Sequence, residues 1–196
     1  MTTHRQRSFI ATLSTPSGRF GFLDQLHSVF YADPQRTFTW TGISIPSAGH
    51  MLGHVNEKLT SEPLKLYVRF TEGGYILYVR SKAHFGKCIG YKNGYFGAFD
   101  PKEQSPAKFG LEAVGVADGA SGQEIQLDGG AILSRLISLD TGKPLALREQ
   151  MLSYYRNKAW RSRPVTCIAA HGAQAMDFHV NVLETNSAYL SHPDEI

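Results

Sequence analysis

Two glycine-punctuated aromatic runs, Gly73-Gly74-Tyr75-Ile76-Leu77-Tyr78-Val79-Arg80 and Tyr91-Lys92-Asn93-Gly94-Tyr95-Phe96, restrict what this chain can fold into more than any other feature. Aromatic and β-branched residues fit a pleated, half-buried surface. An Asn-Gly pair between aromatics fits a two-residue type I′ hairpin, because both central residues must tolerate positive φ. The 19 glycines suit a fold with many tight turns; inside a helix each would cost about 1 kcal/mol. The expectation is a mainly β chain, a barrel or sandwich with one or two short helices. A chain of 196 residues can bury a core without staples.

The same grammar runs through the sequence. Phe9–Leu13 reads as a strand, followed by a Thr-Pro-Ser-Gly turn and the apolar run Phe20–Leu23. Asp33-Pro34 reads as a turn, and Thr37–Trp40 alternates as a strand does. Between Pro46 and Pro63, Ala48, Met51, Leu52, Val55 and Leu59 recur at three- and four-residue steps, which predicts a short amphipathic helix. Strands return at Leu64–Phe70, Tyr75–Val79, Cys88–Tyr91, Tyr95–Phe99 and Phe109–Val114. After a Gly/Asp/Ser-rich break over 115–124, Ile125–Leu127, Ile132-Leu133, Leu136–Leu139 and Pro144–Leu147 read as strand material. Residues 148–162 suit either a helix with Met151, Leu152, Tyr155 and Ala159 on one face, or a strand and a long loop. Val165–Ala169 and Phe178–Leu183 complete the pattern. The expected organisation is one domain over 1–196, with 1–63 less regular and 186–196 a tail.

Composition narrows the partners. A net charge of +3 is too mild for the basic footprint of a nucleic-acid-binding domain. No apolar run is long enough to span a bilayer, and no signal-peptide core follows the basic N-terminus. Residence in a cytoplasm, or release without a signal peptide, is the expectation. Cys88 and Cys167 either pair or stay as buried thiols in a reducing compartment. No Cys/His spacing points to structural zinc, and no metal or other cofactor is expected.

Two segments repeat a theme. Pro106–Val114 resembles Ala175–Leu183: in each a phenylalanine, Phe109 or Phe178, opens an alternating strand. Upstream of the first lie a Gly-Tyr-Ile strand, a basic loop, a short Cys-Ile-Gly strand, the Asn-Gly hairpin and Phe-Gly-Ala. That order over residues 70–115 resembles one lobe of a β-trefoil protein of the fascin-like or ricin-B-like kind. The resemblance implies a lectin-like module binding a glycan or another cell-surface ligand, with toxin association and homo-oligomers as related expectations. The two phenylalanine strands are 69 residues apart, so lobes of 40 to 50 residues cannot be drawn along the whole chain.

Catalytic signatures are sparse, and no catalytic residue is assigned. His50 and His54 sit four apart, but no glutamate of an HExxH motif accompanies them. Asp140-Thr141-Gly142 occurs once, whereas aspartic proteases share a proton between two carboxylates, so it reads as a turn. No G-x-S-x-G elbow, P-loop or dinucleotide fingerprint is present. Asp24, His27 and Ser28 are close in sequence but do not make a triad arrangement. Two stretches suit contact with a ligand. Ser153–Arg163 combines Tyr154, Tyr155 and Trp160 with four cations and Asn157; rings stack on sugar C–H faces while Asn and Arg direct hydrogen bonds. The hairpin with Tyr91, Asn93 and Tyr95, followed by Asp100, could form a shallow ledge. A non-catalytic carbohydrate-binding module is therefore expected, with an enzyme of unidentified reaction or a protein-binding effector or inhibitor as the alternatives.

Overall fold

The computed structural model describes residues 3–31, 48–56, 62–114, 131–156, 158–172 and 174–188. The chain is mainly β, as the sequence implies. Its strands, in order, are β1 (Phe9–Ser14), β2 (Arg19–Phe22), β3 (Leu52–Val55), β4 (Leu64–Thr71), β5 (Gly74–Val79), β6 (Cys88–Lys92) and β7 (Tyr95–Phe99). They continue with β8 (Phe109–Ala113), β9 (Ala131–Ser138), β10 (Lys143–Pro144), β11 (Ala146–Arg156), β12 (Ala159–Ala169), β13 (Gln174–Ala175) and β14 (Asp177–Thr185). Two single-turn helices, α1 (Leu23–Leu26) and α2 (Ser28–Tyr31), follow β2.

Six strands close into a barrel in the cyclic order β1-β4-β5-β8-β9-β14, each antiparallel to its neighbours. Three two-stranded pairs, β2/β3, β6/β7 and β11/β12, lie between successive barrel strands. The chain thus runs barrel strand, hairpin pair, barrel strand, three times over. The three pairs also meet one another: Thr166 and Cys167 of β12 face His54 and Gly53 of β3, Ala169 faces Tyr95 of β7, and Met51 bridges Gly97. A Cβ on Gly97 would lie 2.9 Å from the His50 carbonyl, and one on Gly53 2.9 Å from the Thr166 carbonyl. Glycine is what lets these backbones approach so closely.

Alternation builds the core. In β1 the buried residues are Phe9, Ala11 and Leu13, and they face Val68, Leu66 and Leu64 of β4 in register. Phe109 and Phe178, the two phenylalanines that open similar sequence segments, are both fully buried at the starts of barrel strands. In register Phe109 stands beside Ser138, and Phe178 beside Ser134, both buried serines of β9. Large beside small fills a barrel interior without overpacking. Each phenylalanine also meets a ring from a cap pair: Phe109 meets Phe96 at 5.5 Å and Phe178 meets Phe20 at 5.1 Å between centroids.

Most turns fall where glycine and asparagine predict them. Asn93 and Gly94 have φ of +53° and +91°, the double positive φ of a type I′ turn between β6 and β7. Asp140-Thr141-Gly142 is a turn, with the Thr141 and Gly142 amides donating to the Ser138 carbonyl. Two helix expectations fail. Leu52–Val55 is strand β3, not part of a helix, because β2 and β12 pair with its two edges; Leu59 lies outside the described residues. Residues 148–162 are neither a helix nor a strand with a long loop, but the long hairpin β11–β12 with Arg156 directly opposite Ala159. Met151 and Leu152, expected on one helical face, are 52% and 1% exposed on opposite faces of the ribbon. Asp33-Pro34, Thr37–Trp40, 115–124 and Ile125–Leu127 lie outside the described residues.

The segments around Ser8 and Ser187 are tied together. Within the segment read as a tail, Ser187 is buried, its amide donates to the Ser8 carbonyl, and its own carbonyl accepts from the Tyr67 hydroxyl. The N-terminal 63 residues supply β1 to the barrel and β2/β3 to the cap.

Candidate functional site

The hairpin β11–β12 carries the aromatic and basic residues that the sequence singles out. Its inner half is held: Val165, Cys167, Ala169 and Leu152 are buried in one apolar cluster with Leu23, Met51 and Tyr95. The strands that pair with β12 from the cap reach only Thr166, Cys167 and Ala169. Beyond those positions, β11 and β12 pair with each other out to Arg156 and Ala159. Lys158, Ala159, Trp160, Arg161 and Ser162 are all exposed there, and Trp160 shows 56% of its surface. Lys158 takes φ +58° in the turn. Arg163 braces the ribbon by donating to His27 Nδ1 at 3.3 Å.

Period-two alternation puts Trp160 and Met151 on one face of this ribbon. Tyr155 is opposite Trp160 in register, and Tyr154 is opposite Arg161. Asn157 lies outside the described residues. The ribbon therefore offers an apolar ring and a thioether on one face, with cations at and beside its turn. Such a surface can stack on a flat apolar face and hydrogen-bond to oxygens around it.

The second predicted site does not assemble as a ledge. Tyr95 is 5% exposed; its hydroxyl donates to Gln150 Oε1 at 2.6 Å, and the Arg148 guanidinium stands 5.4 Å from its ring centroid. It joins β7 to β11 inside the cap and presents no face to solvent. Tyr91 is half-buried, with its ring 5.1 Å from that of Phe96. Asn93 is exposed but serves the turn. Asp100 is exposed and closes its own turn, its carboxylate accepting from the Lys102 amide and its carbonyl from the Glu103 and Gln104 amides. The aromatic pattern of this hairpin is a packing pattern. Burial, which depends on β11 folding over it, is what the sequence does not display.

The histidines and cysteines that the sequence singles out make the following contacts. His54 is 2% exposed, and its Nε2 lies 3.2 Å from Thr15 Oγ1 and 3.4 Å from Ser17 Oγ. Thr15 gives its hydroxyl proton to the Gly18 carbonyl, so His54 Nε2 carries hydrogen and donates to Thr15. Burial lowers the His54 pKa. His50 instead packs its ring edge to face with Phe99 at 4.9 Å, so the two histidines do not converge on one point. Asp24 Oδ2 lies 2.9 Å from His84 Nε2, tying α1 to the loop after β5. Among the described residues no three of His, Cys, Asp and Glu are grouped to hold a metal ion. Cys88 and Cys167 are separate, free and buried thiols, pushed up by burial to about 11 and about 12. Among the described residues no helix is long and apolar enough to cross a membrane.

No protein-family model matches the sequence, and neither curated proteins nor solved structures yield a match.

Proposed function

We propose that this protein is a trefoil-like, non-catalytic binding module whose ligand is a carbohydrate carried on a cell surface. The trefoil reading is supported by the threefold recurrence of barrel strand, hairpin pair, barrel strand, and by the mutual contact of the three pairs at one end. The observation that carries the binding reading is Trp160, an indole 56% exposed on a ribbon whose inner half is locked into the cap. Tryptophan is enriched among the residues that carry binding energy at recognition surfaces. The indole face matches the C–H face of a pyranose, and Lys158 and Arg161 beside it can donate to ring and hydroxyl oxygens. One such site binds weakly, and display of many sugars on one surface raises its avidity.

A glycan array probed with the intact chain tests this directly. Selective signal that Trp160→Ala abolishes, with the melting temperature unchanged, is the expected result. A flat array, or a signal indifferent to Trp160→Ala, overturns the assignment.

A further inference from the structure

A cleft of about 290 Å³ opens where β2 and α1 face the loop that follows β5, at the seam between the first and second strand units. No sequence motif marks it. Arg19, Gln25, Glu62 and Lys82 contribute its polar lining, and Phe20 and Leu26 contribute apolar lining. Arg19 is half-buried, and its Nε is shielded from solvent with no hydrogen-bond partner among the described residues. Among those residues, Arg19, Glu62 and Lys82 form no ion pair with one another.

The charge pattern selects the ligand. Arg19 offers a planar fork that fits a carboxylate in two parallel hydrogen bonds, and Lys82 adds a point charge. Glu62 on the same rim repels a dianion such as a phosphate ester, while its oxygens accept from hydroxyl groups. The apolar contribution of Phe20 and Leu26 suits a C–H face. A singly charged, polyhydroxylated ligand satisfies all of these at once. We infer that this cleft binds a carboxylate-bearing sugar unit, of the uronic or sialic acid kind, with Arg19 holding the carboxylate. The inference rests on the carbohydrate-binding reading and adds a second site to it.

The test is a calorimetric titration of the intact chain at neutral pH with glucuronic acid, its methyl ester and glucose. Glucuronic acid is expected to bind at least about tenfold more tightly than either neutral probe. Arg19→Gln should weaken it about tenfold. Lys82→Met, on an exposed side chain, supplies a variant that folds even if Arg19→Gln does not; about threefold weakening is expected. Equal binding of acid and ester, no saturable binding of the acid, or indifference to both substitutions overturns the inference. A Trp160-dependent array signal without acid preference would remove the cleft proposal alone. Binding of the acid with a flat array for neutral glycans would instead remove the Trp160 site.

Discussion

His54 is buried in β3 beside Thr15 and Ser17, with its ring nitrogen donating to the Thr15 hydroxyl, and removal from water disfavours the charged imidazolium. Because its folded pKa is lowered, the unfolded chain takes up this proton first as pH falls. Stability from this group is intact above the ordinary histidine value near 6.5 and is lost as pH falls from there through the lowered folded value. Urea denaturation between pH 7.5 and 4.5 should show that decline, and His54→Gln should flatten it near its upper end. The thiols act at the other end of the scale. Their raised pKa values keep protons on the folded chain while the unfolded chain ionises, so stability falls again above about pH 9. Iodoacetamide at pH 8 should leave Cys88 and Cys167 unmodified until denaturant is added.

At the scale of elements, glycine decides two different things. Gly94 supplies the second positive φ of the β6–β7 turn, so Gly94→Val should cost about 1–2 kcal/mol in denaturant melts while leaving the fold intact. Gly97 makes no unusual φ; it lets β7 pass close to the His50 backbone. A side chain there meets backbone that has no rotamer to yield, and Gly97→Val should cost more than Gly94→Val, about 2–3 kcal/mol. The turn glycine was legible in the sequence because Asn-Gly is a local signal. The packing glycine was not, since its reason is the His50 backbone, 47 positions earlier in the chain. The same difference explains β3 and β11–β12. Apolar steps in Ala48–Leu59 and 148–162 fit a helical period locally, but neighbouring strands satisfy those backbones as sheet.

Across the whole molecule, the threefold course of the chain gives equivalent positions similar burdens. Phe109 and Phe178 open corresponding barrel strands, each buried, each beside a buried serine of β9, and each touching a cap phenylalanine. Phe109→Ala and Phe178→Ala should each cost about 3–5 kcal/mol, within about 1 kcal/mol of each other, by chemical denaturation. A large difference between them would argue against equivalent roles. Repeats were hard to draw from the sequence because the units differ in length. Residues 23–51 separate β2 from β3, and the third unit stretches its hairpin to 11-residue strands.

The linear order of residues settled the strand-rich character, the Asn93-Gly94 and Asp140–Gly142 turns, and the kinship of the Phe109 and Phe178 strands. These depend on alternation and on φ preferences that a few adjacent residues express. Which rings reach solvent was decided only by the tertiary structure: Tyr95 is closed in by Gln150 and Arg148, Trp160 is held outward, and Arg19 gathers with Glu62 and Lys82 around a cleft. Exposure and convergence arise from contacts between strands far apart in the chain, and no local pattern encodes them.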